Sequence, residues 1–170
     1  MENRKILTIV FLATVARLLP HPPNIAPIAA LALFSGAKID KKIAYVLPLS
    51  AMVISDFFLG FHSTMFYVYF SFLLITLIGR AVGKNNRVFF LFWITIFSSV
   101  LFYLITNFGV WASTAIYTKN MSGLINCYLM GLPFLRNTII GDLFYTSVFF
   151  YGFDFSSVLL IKVKRLLWYF

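Results

Sequence analysis

From Val88 to Asn107 the chain reads VFFLFWITIFSSVLFYLITN, without one charged residue. About 20 such residues, with a lower limit near 17, make a helix that crosses the hydrocarbon core of a bilayer. Five further apolar segments accompany it, at 5–19, 27–37, 43–59, 64–78 and 138–161. A soluble domain of this size buries only about 70% of its surface, too little to hide so many. Only 11% of the 170 residues are charged and 61% are hydrophobic, against about a quarter charged in an average soluble domain. The expected class is therefore all-α: an integral membrane bundle of six transmembrane helices, one domain over residues 1–170. Segments 5–19, 27–37 and 64–78 are short for a span. Either their flanks add turns, or the helices end inside the protein beside a polar cavity.

The net charge of +9 raises the question of nucleic acid. The basic residues sit in short clusters between apolar runs, with no long basic stripe, so no nucleic-acid partner is expected. They serve instead as topology signals, because Lys and Arg in short loops favour the cytoplasmic side. With the N-terminus inside, Arg4, Lys5, Lys38, Lys41, Lys42, Arg80, Lys84, Arg87, Lys162, Lys164 and Arg165 all fall inside; only Arg17, Lys119 and Arg136 do not. Both termini are thus expected in the cytoplasm. The N-terminal segment has a basic start and an apolar stretch, but Thr14 spoils the cleavage site of a signal peptide, so it reads as a first span. Gly109–Arg136 becomes a long outer loop that is still apolar, and around Ser122–Leu132 it is expected to form an interfacial or re-entrant helix. The sequon Asn120-Met121-Ser122 reads as chance, and the lone Cys127 excludes an internal disulfide.

With this topology the unusual polar residues collect at one depth, near the outer face. They are Arg17, His21, Asn24, Asp56, His62, Asn107, Trp111, Arg136, Asn137 and Asp142. Ionisable groups within spans are costly and face a cavity or a partner, so this layer suggests an outward-facing pocket for a small solute. Pro20, Pro22, Pro23 and Pro27 stiffen the connection that carries His21 and Asn24. Asp56 needs a partner, and Arg17 or Arg136 is available; an ion pair that only fixes packing is the alternative to ligand contact. Asn137 suits a cap for the sixth span. Trp111 and Tyr117 suit an interfacial belt. His21, His62 and Asp56 have the chemistry of a metal site, but lie on separate loops, so no metal or cofactor is expected. Asp154 falls in the inner half of the sixth span, and nothing in the pattern explains it. The chain lacks HExxH and GxSxG motifs, so an enzyme is not expected. It also lacks a GxxxxGK loop, so ATP hydrolysis would have to come from a partner.

RLLPHPPNIAPIAALALFSGA, ISDFFLGFH, TNFGVW and GLPFLRNTIIGDLFY together resemble a family of bacterial membrane proteins of unknown function, over nearly the whole chain. That family is similar in turn to the substrate-binding S components of energy-coupling factor vitamin transporters. The resemblance implies six helices in the bacterial inner membrane. It also implies a nutrient-binding pocket near the outer face, and docking on a transmembrane T protein driven by two ATPases. S components commonly present an alanine-xxx-alanine face on the first span; Ala13 and Ala16, at spacing three, depart from it. The start Met1-Glu2 departs from the Met-His of cobalt and nickel relatives. A ligand-free structural or assembly protein stays open as the alternative, with a membrane enzyme behind it.

Overall fold

The computed structural model describes residues 3–20, 22–39, 41–83 and 87–167, with side chains described for 8–20, 22–39, 42–83 and 87–152. The order is α1 (Asn3–Leu18), α2 (Ile28–Lys38), α3 (Lys41–Leu59), α4 (Met65–Val82), α5 (Val88–Ser113) and α6 (Met121–Leu167). Three stretches, Lys42–Leu59, Met65–Val82 and Val88–Ser113, are long and apolar enough to cross a membrane. This marks the chain as a membrane protein.

Which faces are buried supports that reading. Phe57, Phe66 and Phe89 are about three-quarters exposed, while Ser35, Ser55, Asp56, Ser71, Thr76 and Ser99 are almost wholly buried. A water-soluble core has the opposite arrangement. Several of the buried hydroxyls satisfy themselves on their own helices: Ser71, Thr76 and Thr95 each donate to the carbonyl four residues back, the usual recourse where no water is available.

The helix α2 sits at the centre. It has 11 residues, roughly 16 Å at 1.5 Å per residue, about half the thickness of a hydrocarbon core. Everything from Ile28 to Gly36 is buried, and α2 touches each of the other five helices, α4 most extensively. A helix apolar all round has no solvent face and belongs inside. Its closest approach is to α4. A methyl group built on Gly36 would lie 2.1 Å from the Thr76 carbonyl oxygen, and one built on Gly79 2.2 Å from the Leu33 carbonyl oxygen. The two backbones therefore touch at reciprocal glycines, which only the absence of a Cβ permits. A second lock joins α2 to α3. Pro48 lies inside α3 and has no N–H for the carbonyl four residues back, which is that of Ala44. Ser35 of α2 donates to the Ala44 oxygen at 2.8 Å and meets that need.

The two ends of the bundle differ in character. At one, Lys38 stands over the Phe150 ring and Arg80 over the Tyr45 ring, each at 5.7 Å. At the other lie the proline turn after α1, His62 and the start of α2.

Several sequence expectations change. The short segment 64–78 gains nearly a turn, to 18 residues, whereas 5–19 gains one residue, to 16, and α2 stays short. The run 88–107 continues to Ser113. No separate helix lies over the bundle in the expected outer loop, because residues from Met121 onward are continuous with the last helix, 47 residues with Pro133 inside. Asn137 is consequently mid-helix and caps nothing. His21 lies outside the described residues, as does the side chain of Asp154.

The glycine crossing is expected to tolerate no side chain. Gly36→Ala or Gly79→Ala should each cost about 3 kcal/mol, the upper end of overpacking, because the obstruction is backbone. Gly152→Ala, with open space around its Cα, should cost nothing. Melting curves of the three variants in detergent measure the difference.

Candidate functional site

A cavity of about 350 Å3 opens at the end opposite Lys38 and Arg80, within the size range of small-molecule sites. Its polar wall is formed by Arg17, Asn24, His62, Thr138 and Asp142, and its apolar wall includes Ala29, Met52, Phe72 and Phe102. All six helices contribute: Arg17 from α1, Ile28 and Ala29 from the buried first turn of α2, Met52 from α3, Phe72 from α4, Phe102 from α5, and Thr138 and Asp142 from α6. A second cavity of about 330 Å3 adjoins it, sharing Asn24, Val68 and Phe102 and extending to Asn107, Tyr117, Cys127 and Phe134.

Arg17 governs the first wall. It ends α1 and reaches α3, where its guanidinium is 2.7 Å from Asp56 Oδ1 and also donates to the Ser55 hydroxyl. Ser55 in turn donates a hydrogen bond to the Ala51 carbonyl at 2.8 Å. The second carboxylate oxygen of Asp56 accepts from the Tyr69 hydroxyl of α4 at 2.8 Å. Asp56 is 1% exposed, so desolvation is severe and only this full complement of donors makes its charge tolerable. Three helices are pinned by one carboxylate. Of the two arginines open to Asp56 in the sequence, Arg17 holds it; Arg136 is exposed and lines neither cavity.

Asp142 is treated differently. It is 3% exposed, lines the cavity, and accepts one hydrogen bond, from Ser99 at 2.7 Å. Among the described residues no cationic side chain pairs with it.

The remaining expected residues divide. Asn24, with a φ of 64°, stands at the junction of both cavities. His62 lines the first and bonds Thr64 Oγ1 through Nδ1 at 2.8 Å. Asn107 lines the second, its amide donating to the Tyr103 carbonyl at 2.9 Å. Asn137 donates to the Pro23 carbonyl at 3.1 Å, tying the proline turn to α6. Trp111 lines neither cavity; its indole donates to the Thr118 carbonyl at 2.9 Å, under the Lys119 ammonium. Tyr69, Ser99, Thr138 and Phe102 were not foreseen. Ser99 and Thr138 stand out as hydroxyls in apolar runs, but nothing local distinguishes Tyr69 from the aromatic residues around it. Among the described residues no group of three His, Cys, Asp or Glu side chains gathers to hold a metal ion.

A family model described as a family of unknown function, DUF6580, matches residues 2–163. No curated protein and no solved structure matches the chain.

Breaking the ion pair from one side should be worse than removing it whole. Arg17→Met is expected to cost roughly 3 kcal/mol, the lower end for a broken buried pair, because the arginine side chain keeps 16% exposure. Arg17→Met combined with Asp56→Leu should recover most of the loss. A double-mutant cycle on unfolding in detergent measures the coupling.

Proposed function

The chain belongs to the DUF6580 family, and we propose that it is a solute-binding membrane subunit of a nutrient importer, similar to the S components of energy-coupling factor transporters. The observation that carries this reading is the 350 Å3 cavity walled by Arg17, Asn24, His62, Thr138 and Asp142. A ligand-free structural protein would let paired side chains fill that space. Here the Arg17–Asp56 pair sits in the wall and leaves the space open.

In this reading the six helices sit in the bacterial inner membrane, with α2 reaching only about half-way across it, and both termini are cytoplasmic. The clustering of Lys38 and Arg80 at the end opposite the cavity supports the orientation, since basic loops favour the cytoplasm. The cavity then faces outward. Solute enters beside the proline turn, whose position depends on the Asn137–Pro23 hydrogen bond. Energy comes from a partner, a transmembrane T protein with ATPases, because no phosphate-cradling GxxxxGK loop is present. Ala13 is 2% exposed and belongs to the core, so it is not offered to that partner. The outward side of α1 presents Phe11 and Leu12 instead.

Purified protein screened by thermal shift against vitamins, their precursors and other small nutrients should be stabilised by one chemical class. A ligand at 100 times its Kd adds about 2.7 kcal/mol by mass action. Ala26→Trp places a ring at the cavity wall and should abolish the shift while leaving the unliganded melting point nearly unchanged. Silence of the whole panel with well-folded protein would overturn the reading.

A further inference from the structure

The two aspartates at this end of the bundle divide the electrostatic labour, and the division identifies a ligand chemistry. Asp56 has its charge answered by Arg17 at 2.7 Å and its second oxygen by Tyr69 at 2.8 Å. Among the described residues Arg17 is the cation of the first cavity, and it is already committed. His62 is exposed and bonded to Thr64. Asp142, on the same cavity, has only the neutral hydroxyl of Ser99. The first turn of α2 also reaches the cavity through Ile28 and Ala29, but a helix N-terminus supplies only about half a positive charge. The pair Arg17–Asp56 sums to zero, so the balance of the site is negative at Asp142. A carboxylate so far removed from water is costly without a counter-charge.

The space around it has a matching shape. The first cavity meets the second at Asn24, Val68 and Phe102, and the second is walled by Val110, Met130 and Phe134 together with Tyr117. A molecule with a charged end and an apolar or aromatic body fits across the two. The Phe102 ring between them is the kind of surface that attracts a cation at its face.

We propose that the ligand is a small organic cation, an amine or a permanently charged nitrogen set against Asp142, with an apolar body in the second cavity. Two free arginines would have favoured an anionic or zwitterionic solute, but Arg17 is paired and Arg136 lines neither cavity. The cation assignment rests on the solute-binding reading above and adds the substrate class.

The test uses the purified full chain in detergent and a matched set of one-ring compounds: phenethylamine and phenyltrimethylammonium as cations, 2-phenylethanol as the neutral member, phenylacetate as the anion. Thermal shift and calorimetry should register the two cations and not the other two. Asp142→Asn should weaken the cations by at least about tenfold, the effect of removing one partner of a buried charge pair. It should also erase the preference over 2-phenylethanol. If Asp142→Asn does not fold, Asp142→Glu keeps the charge one methylene further out and should retain the cation preference with altered affinity. Equal binding of neutral and cationic members, unchanged in Asp142→Asn, would overturn the cation class and leave the solute-binding reading intact. A nutrient from the broad panel that carries no positive charge and binds as well to Asp142→Asn would do the same. No binding by any compound in either set would overturn both.

Discussion

The contact between the backbones of α2 and α4 at Gly36 and Gly79 is the constraint on which the rest of the architecture depends. In a bilayer, helices gain nothing from hiding apolar surface, because lipid tails are as apolar as leucine. Close packing and internal hydrogen bonds must hold them together. The reciprocal glycines bring two carbonyl-bearing backbones into contact, and Ser35 ties the same helix to the orphan carbonyl that Pro48 creates in α3. Held on both sides, an 11-residue helix can occupy the middle of the bundle. Because α2 is short, its first turn ends below one face. The longer helices around it continue past that point, and the space above its first turn is the cavity.

The polar groups at that face act as a set. Arg17, Ser55, Asp56 and Tyr69 join α1, α3 and α4 through one carboxylate. Asn137 and Pro23 join α6 to the turn between α1 and α2. The wall is therefore held in place by its own bonds, which in the proposed role would lower the entropic cost of binding. An asymmetry follows from the same bonds. Among the described residues Arg17 is the cation of the wall and is neutralised by Asp56, whereas Asp142 has only the Ser99 hydroxyl and carries the charge that a ligand answers in the proposed binding mode.

Packing also decides which surfaces face outward. Ala13 turns into the core, while Phe11 and Leu12 face out. Small residues on α1 thus serve the internal fold, and any partner on that side meets large apolar side chains. The exposed Phe57, Phe66 and Phe89 are the surface expected of a chain solvated by lipid.

The sequence by itself determined the helical class, the approximate extent of α3, α4 and α5, and the gathering of Asn24, Asp56, His62 and Asp142 at one level. Hydrophobic length is a local property, and a bilayer sets its scale, so these could be read residue by residue. The α2–α4 crossing was not legible in this way, because Gly36 and Gly79 stand far apart in the chain and meet only in the fold. Tertiary structure alone decided the partner of Asp56. Arg17 and Arg136 had the same charge and similar depth, and the choice rests on helix adjacency: α1 packs on α3. It decided that Met121 begins the last helix, because a mixed apolar segment becomes helical when α5 offers it a face, as the Cys127 thiol and the Tyr128 hydroxyl on Asn107 and Leu104 carbonyls attest. And it decided that Arg17, which as an isolated residue would favour an anion, leaves its charge in a salt bridge. The charge balance of the cavity is a sum over neighbours distant in the chain, and no local pattern carries that sum.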